Sequence, residues 1–166
     1  IGNDTSGGSP QTFTISCWVF KTEDSGIMRI VDFGNTDISF YIDDSEYVWF
    51  KTKWDGGAGV WWRTGVVISH NTWHHVAVTY DANSDANNPI IYVDGNLKTL
   101  TQSGTAPTGS WDGIATEDAF IGGMVGDPDS AFIKYLDEFA IWSKILTSTQ
   151  IKQINSAGRQ KSLYDV

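Results

Sequence analysis

Eight tryptophans in 166 residues are the most distinctive chemical feature of this sequence. Trp18, Trp73 and Trp142 fall in regular apolar alternations and read as core. Trp49, Trp54, Trp61, Trp62 and Trp111 flank turns or sit in irregular stretches. An aromatic face stacks on the apolar C–H face of a sugar, while polar neighbours orient its hydroxyls. Trp54, Trp61, Trp62 and Trp111, with Arg63, are therefore candidate ligand contacts, and Lys51, Lys53 and Asp55 are polar groups close by in sequence. The same residue types also suit the core of a second sheet or a protein–protein interface. Trp61 and Trp62 are adjacent, so an extended backbone turns them to opposite faces and leaves one exposed.

The acids and histidines do not assemble into a reactive pattern. Cleaving a glycan needs two carboxylates about 5–10 Å apart. Asp43, Asp44 and Glu46 fall at a turn. Asp137 and Glu138 are neighbours in a strand, so strict alternation sends them to opposite faces. The serines lie outside any nucleophile-elbow pattern. His74 and His75 are adjacent in a strand and face opposite ways, which keeps them from sharing one metal. Cys17 is the single cysteine, so an intrachain disulfide is excluded, and its apolar strand reads as a buried, inert thiol.

Composition bounds the partners. Eleven basic and 20 acidic residues give a formal charge of -9, which repels a phosphate backbone and argues against nucleic acid. Acids scattered in loops suit calcium, or a solvated surface. No apolar run is long enough to span a bilayer, so membrane insertion is not expected. The chain opens at Ile1 with neither Met nor a signal peptide, as expected of a mature or excised piece of a longer protein.

The elements that must position these groups follow a period of two. Strands are expected at Thr12 to Phe20, Ile27 to Phe33, Ile38 to Ile42, Tyr47 to Trp54, Val60 to Ile68, Trp73 to Tyr80, Ile90 to Val93, Ala119 to Gly122 and Ile133 to Trp142. Asp55 to Gly59 is a glycine-rich turn. Asp94-Gly95 predicts a type I′ hairpin, with Leu97 resuming the pattern. Residues 101–118 read as turn-rich. One helix is expected after Thr147, whose hydroxyl and the Gln150 amide form a capping box. Leu146 can staple to Ile151, Ile154 continues the apolar stripe, and Gly158 stops the helix. Short strands at near-regular spacing predict an all-β sandwich in a single domain, residues 1–166.

Several of these segments resemble the laminin G-like, concanavalin A-like domains, to which pentraxins are related. Phe13-Thr14-Ile15-Ser16-Cys17-Trp18-Val19 resembles an early strand of that family. Trp73-His74-His75-Val76-Ala77-Val78-Thr79-Tyr80-Asp81 is similar to its central strand, and Ile91-Tyr92-Val93-Asp94-Gly95 to the hairpin after it. Ile121-Gly122-Gly123 and Leu136-Asp137-Glu138-Phe139-Ala140-Ile141-Trp142 resemble the closing strands, and Leu146-Thr147 to Ile154 the short helix. The resemblance implies a two-sheet antiparallel jelly roll. The strand that usually precedes Phe13 is not recognisable, which implies that it is missing or supplied by another chain. Enzymes of this fold carry alternating acids along one strand, and no Glu-x-Asp-x-Glu strand is present.

The resemblance also implies two calcium sites. A pentraxin-like site would use Asn35 and Asp37 with Asp127 and Asp129, although Met124 and Val125 stand where further ligands are expected. A structural site would clamp the N-terminal segment to the last strand through Asp4 and Asp137. The expected function is a non-catalytic extracellular binding module for carbohydrate, assisted by Ca2+. The alternative is a structural adhesion or surface-decoration module in a larger assembly, such as a cell-surface protein or virus particle, acting through protein–protein contacts.

Overall fold

Burial alternates along β4 (Tyr47–Thr52) and the first part of β5 (Val60–Val67), whereas the first three strands are buried nearly throughout, and the strands close into two antiparallel sheets. The computed structural model describes residues 11–22, 26–34, 38–54, 59–111, 118–123 and 135–158. One sheet has five strands: β1 (Thr12–Phe20), β6 (Trp73–Asp81), β7 (Ile90–Val93), β8 (Asn96–Leu97) and β11 (Tyr135–Trp142), in the order β11-β1-β6-β7-β8. The other has six: β2 (Met28–Phe33), β3 (Ile38–Ile42), β4 (Tyr47–Thr52), β5 (Val60–Val67), β9 (Leu100–Gly104) and β10 (Ala119–Ile121), in the order β10-β2-β3-β4-β5-β9. This is the expected jelly-roll sandwich.

The inner faces meet in one core. Phe13, Ile15, Cys17 and Val19 of β1 and Val76, Val78 and Tyr80 of β6 pack with Phe40 of β3, Phe50 of β4 and Trp62 of β5. Its aromatic centre is close-packed, with the Tyr80 ring 5.4 Å from Phe50 and 5.9 Å from Phe13. Burial drives the Cys17 thiol far above its ordinary range, so it stays protonated and inert.

The outer face of the five-stranded sheet is closed by α1 (Ser148–Gly158). Leu146 and Ile151 pack on Ala77 and Tyr92, as the staple predicts. The capping box forms: the Gln150 N–H donates to Thr147 Oγ1 at 3.3 Å, and the Thr147 N–H donates to Gln150 Oε1 at 2.9 Å. Thr14 of β1 anchors the helix entry, donating to the Lys144 carbonyl at 2.7 Å and accepting from the Leu146 N–H at 2.9 Å. Asp94 and Gly95 have φ of 53° and 71°, both positive as a type I′ turn requires.

Two expectations need correction. The stretch read as turn-rich contains β9, whose Leu100–Gly104 backbone pairs with β5 from Thr64 to Val60. Its side chains are polar because β9 is an edge strand with little apolar burial, so the periodic signal is weak. In β11 the register shifts opposite Ser16 and Trp18. This bulge brings both Leu136 and Phe139 onto the core and leaves the intervening Asp137 and Glu138 both exposed, not on opposite faces. Glu138 has a φ of 49°, and its N–H donates to Asp137 Oδ1 at 2.8 Å.

Candidate functional site

α1 packs on the outer face of the five-stranded sheet, and the outer face of the six-stranded sheet is accessible in part. Alternation decides what it displays. Phe40, Phe50 and Trp62 lie in one cross-strand row and point into the core. The neighbouring rows, Tyr41–Trp49–Arg63 and Ser39–Lys51–Trp61, therefore point outward. Tyr47, Trp49, Lys51, Trp61 and Arg63 are half-buried, whereas Tyr41, Ser39 and Asp32 are buried. The accessible part of the face thus lies over β4 and β5.

These side chains form a connected array. The Tyr41 and Trp49 rings are parallel within 2°, with centroids 6.0 Å apart. The Arg63 guanidinium lies 4.4 Å from the Tyr47 centroid and 5.9 Å from that of Trp49. Lys51 Nζ is 5.4 Å from the Trp61 ring, and the Arg29 guanidinium 5.0 Å from that of Tyr41. Each cation is held over an aromatic face, an arrangement that stiffens the ring and its cation together. Asp43 locks the end of the array: its Oδ2 accepts from Trp49 Nε1 at 2.7 Å, and its Oδ1 from the Tyr47 N–H at 2.9 Å. Burial raises the Tyr41 phenol to about 12, with Arg29 lowering and Asp43 raising it, so Tyr41 stays neutral.

The position of Trp61 depends on a glycine across the edge. Gly104 has a φ of 86°, and a Cβ there would stand 2.6 Å from two Trp61 ring carbons and 2.7 Å from the Gly59 carbonyl. Only glycine lets the indole lie against β9.

Of the five expected ligand contacts, the structure brings Trp61 and Arg63 onto this face. Trp54, Trp62 and Trp111 are buried in the core, at 4%, 1% and 9% exposure, and this corrects their expected role. The Trp54 indole donates to the Tyr80 hydroxyl at 3.1 Å, and Trp111 stacks on Phe13. Trp62 donates to Asn88 Oδ1 at 3.1 Å and forms the floor of a groove of about 360 Å³ that Ile90, Leu97, Lys98 and Gln102 also line. Sequence proximity to turns suggested exposure for all of them, but a buried indole satisfies its N–H from inside. Tyr47 and Trp49 are the members of the array not among the expected contacts. The alternation Tyr47-x-Trp49-x-Lys51 beside Trp61-x-Arg63 carried the signal.

Among the metal expectations, Asn35, Asp37, Asp127, Asp129 and Asp4 lie outside the described residues. Asp137 is exposed, with one oxygen taken by the Glu138 N–H. No group of three or more His, Cys, Asp or Glu side chains among the described residues could hold a metal ion.

A second constellation looks reactive at first sight. Ser69 Oγ lies 2.8 Å from His74 Nε2, and His74 Nδ1 lies 2.9 Å from Asp94 Oδ2, the connectivity of a serine hydrolase triad. In triads of the chymotrypsin type the nucleophile's own N–H serves the oxyanion, and in α/β-hydrolases the N–H of the next residue does. Here the Ser69 N–H donates to His74 Nε2 at 3.2 Å. Asp94 Oδ1 meanwhile accepts from the His75 N–H at 3.1 Å. The relay ties the β5–β6 connection to the Asp94-Gly95 hairpin.

His75 faces the opposite way, as alternation predicts. It is buried against Trp18, ring centroids 5.5 Å apart, and neither ring nitrogen has a hydrogen-bond partner among the described residues. Burial lowers its pKa to about 4, against an opposing pull from Asp94.

The sequence profile of the Laminin_G_3 family, described as the Concanavalin A-like lectin/glucanases superfamily, matches residues 2–152. Curated protein sequences provide no match. Similar solved structures include a native heptameric SAP-like pentraxin from Limulus polyphemus, 12% identical with a TM-score of 0.63 over 87% of this chain and 70% of that one. A protein from Bacteroides ovatus, described as a candidate carbohydrate-binding protein, is 22% identical with a TM-score of 0.66, over 89% of this chain but 41% of that one. The CBM40 of the Ruminococcus gnavus IT-sialidase, bound to α2,3-sialyllactose, is 14% identical with a TM-score of 0.64, over 91% and 85%. At these identities the likeness shows the fold alone. The profile spans most of the 166 residues, and the chain belongs to the laminin G-like family within the concanavalin A-like lectin/glucanase superfamily.

Proposed function

We propose that this domain is a non-catalytic extracellular module that binds carbohydrate on the outer face of its six-stranded sheet. The observation that carries the reading is the outward array of Tyr47, Trp49, Trp61, Lys51 and Arg63 on a rigid sheet, opposite the face that α1 closes. Indole and phenol rings offer stacking to sugar C–H groups where a sugar takes the place of the cation now over the ring, and the displaced cation offers hydrogen bonds to hydroxyls. The Ruminococcus module, crystallised with a sialylated sugar, and the Bacteroides protein support the same ligand class. No helix of the described residues is long and apolar enough to cross a membrane.

A glycan array tests the proposal. The wild-type chain should bind a defined set of glycans, and Trp61→Ala and Trp49→Ala should lose binding while keeping a cooperative melt. Failure of the wild type to bind any glycan removes the reading.

One observation favours a second reading, docking to a protein in a larger assembly such as a cell or virus surface. Ile90 and Leu97 are exposed at 38% and 61% beside the groove over Trp62. Exposed apolar side chains beside a groove suit a protein partner. In that case Leu97→Ser would abolish complex formation, whereas Trp61→Ala would not.

A further inference from the structure

The charge of the proposed sugar-binding face runs against that of the whole chain. The sequence carries a formal charge of -9, yet the outward rows of the six-stranded sheet present Arg29, Lys51 and Arg63. The two carboxylates on the outward rows among the described residues, Asp32 and Asp43, are taken up by donors. Asp32 is buried and accepts from Ser39 Oγ at 2.5 Å with Arg29 at 3.4 Å. Asp43 accepts from the N–H groups of Ser45 and Tyr47 and from the Trp49 indole.

Arg63 differs from the other cations. Its guanidinium rests between the Tyr47 and Trp49 rings and has no carboxylate partner among the described residues. The two rings hold the guanidinium carbon close to them, and its N–H donors all lie in the guanidinium plane. A planar donor fork is the geometry that receives a carboxylate through two parallel hydrogen bonds. Trp61 lies two residues away on the same strand face, about 7 Å along the strand. A sugar stacked on that indole brings its ring substituents beside the fork.

We infer that Arg63 makes this face selective for glycans that carry a carboxylate, a uronic or sialic acid, over their neutral counterparts. The inference rests on the carbohydrate-binding reading and adds the ligand's charge to it. Replacing a neutral hydrogen bond by a charge-assisted pair predicts a preference of about tenfold.

The test is titration calorimetry of the whole chain against three forms of one oligosaccharide, ending in glucuronate, in glucose, or in a sulfated glucose. The wild type should bind the glucuronate form about tenfold tighter than the glucose form. Arg63→Gln should bind both alike, and Arg63→Lys should keep only part of the preference, because an ammonium is a point charge and not a fork. Melting midpoints of the variants check folding, and the wild-type comparison stands without them. Equal wild-type affinity for the glucuronate and glucose forms overturns the inference and leaves sugar binding in place. A preference that survives Arg63→Gln overturns the role of Arg63. A sulfated form bound as tightly as the glucuronate form, with no loss in Arg63→Lys, overturns the carboxylate assignment. No binding of any form by the wild type removes the underlying reading as well.

Discussion

Acid should loosen this domain through His75 in a narrow pH window. The ring is 1% exposed under the five-stranded sheet's outer face, packed on Trp18, whose indole also touches the end of α1 at Gly158. The charged or titratable groups nearest it are Asp94, which accepts from its N–H, His74, its neighbour on β6, and Glu138, whose carboxylate reaches the same end of α1. Burial outweighs the attraction of Asp94, so the folded pKa is about 4 while the unfolded chain titrates near 6.5. Between those values the unfolded state binds more protons, so stability falls as pH drops from about 6.5 to about 4. Above the window the full stability is present, and below it His75 contributes no further slope. At about 1.4 kcal/mol per pKa unit the loss approaches roughly 3 kcal/mol, a large share of a typical domain's stability. Urea unfolding across this range, for wild type and His75→Phe, isolates the effect, because the other acids titrate alike in both proteins. Phenylalanine fills the site without the unpaired ring nitrogens, so the variant should lose the extra slope. NMR should find the His75 imidazole neutral well below pH 6.5. Parallel pH slopes for the two proteins, or a titration near the ordinary histidine value, would refute the account.

Three further outcomes follow from the packing. Trp62→Ala should destabilise by about 3–5 kcal/mol, because it opens a core cavity and leaves Asn88 without its indole partner, whereas Trp61→Ala should cost less than 1 kcal/mol; denaturant midpoints compare them. Gly104→Ala meets both a left-handed backbone and the Trp61 ring, so it should destabilise by about 1–3 kcal/mol and weaken glycan binding together, and a neutral result would contradict the close approach. A calcium ion held through Asp137 or the pentraxin-like carboxylates would raise the melting midpoint in millimolar calcium above that in excess chelator, and equal midpoints would remove both calcium sets.

The relay of Ser69, His74 and Asp94 is a feature that only the tertiary structure assembles. Its distances match those of a hydrolase, yet the Ser69 N–H is turned back onto the imidazole. Its three residues come from two loops and a strand, and no spacing in the chain announces them. Their hydrogen bonds hold the β5–β6 connection against the hairpin.

The period-two pattern was sufficient to place nearly every strand, the Asp94-Gly95 hairpin and the capped helix, because these depend on residues within a few positions of one another. β9 escaped it because an edge strand of Leu-Thr-Gln-Ser-Gly buries too little to alternate, and the β11 bulge escaped it because one inserted residue breaks the alternation without changing the composition. Which tryptophans meet solvent was another matter. Trp61 and Trp62 are neighbours with identical side chains, and their fates differ because β4 and β9 fix the register of β5, while the outer face over β4 and β5 stays accessible. Exposure of a side chain is a property of what lies across from it, and that partner can be a hundred residues away.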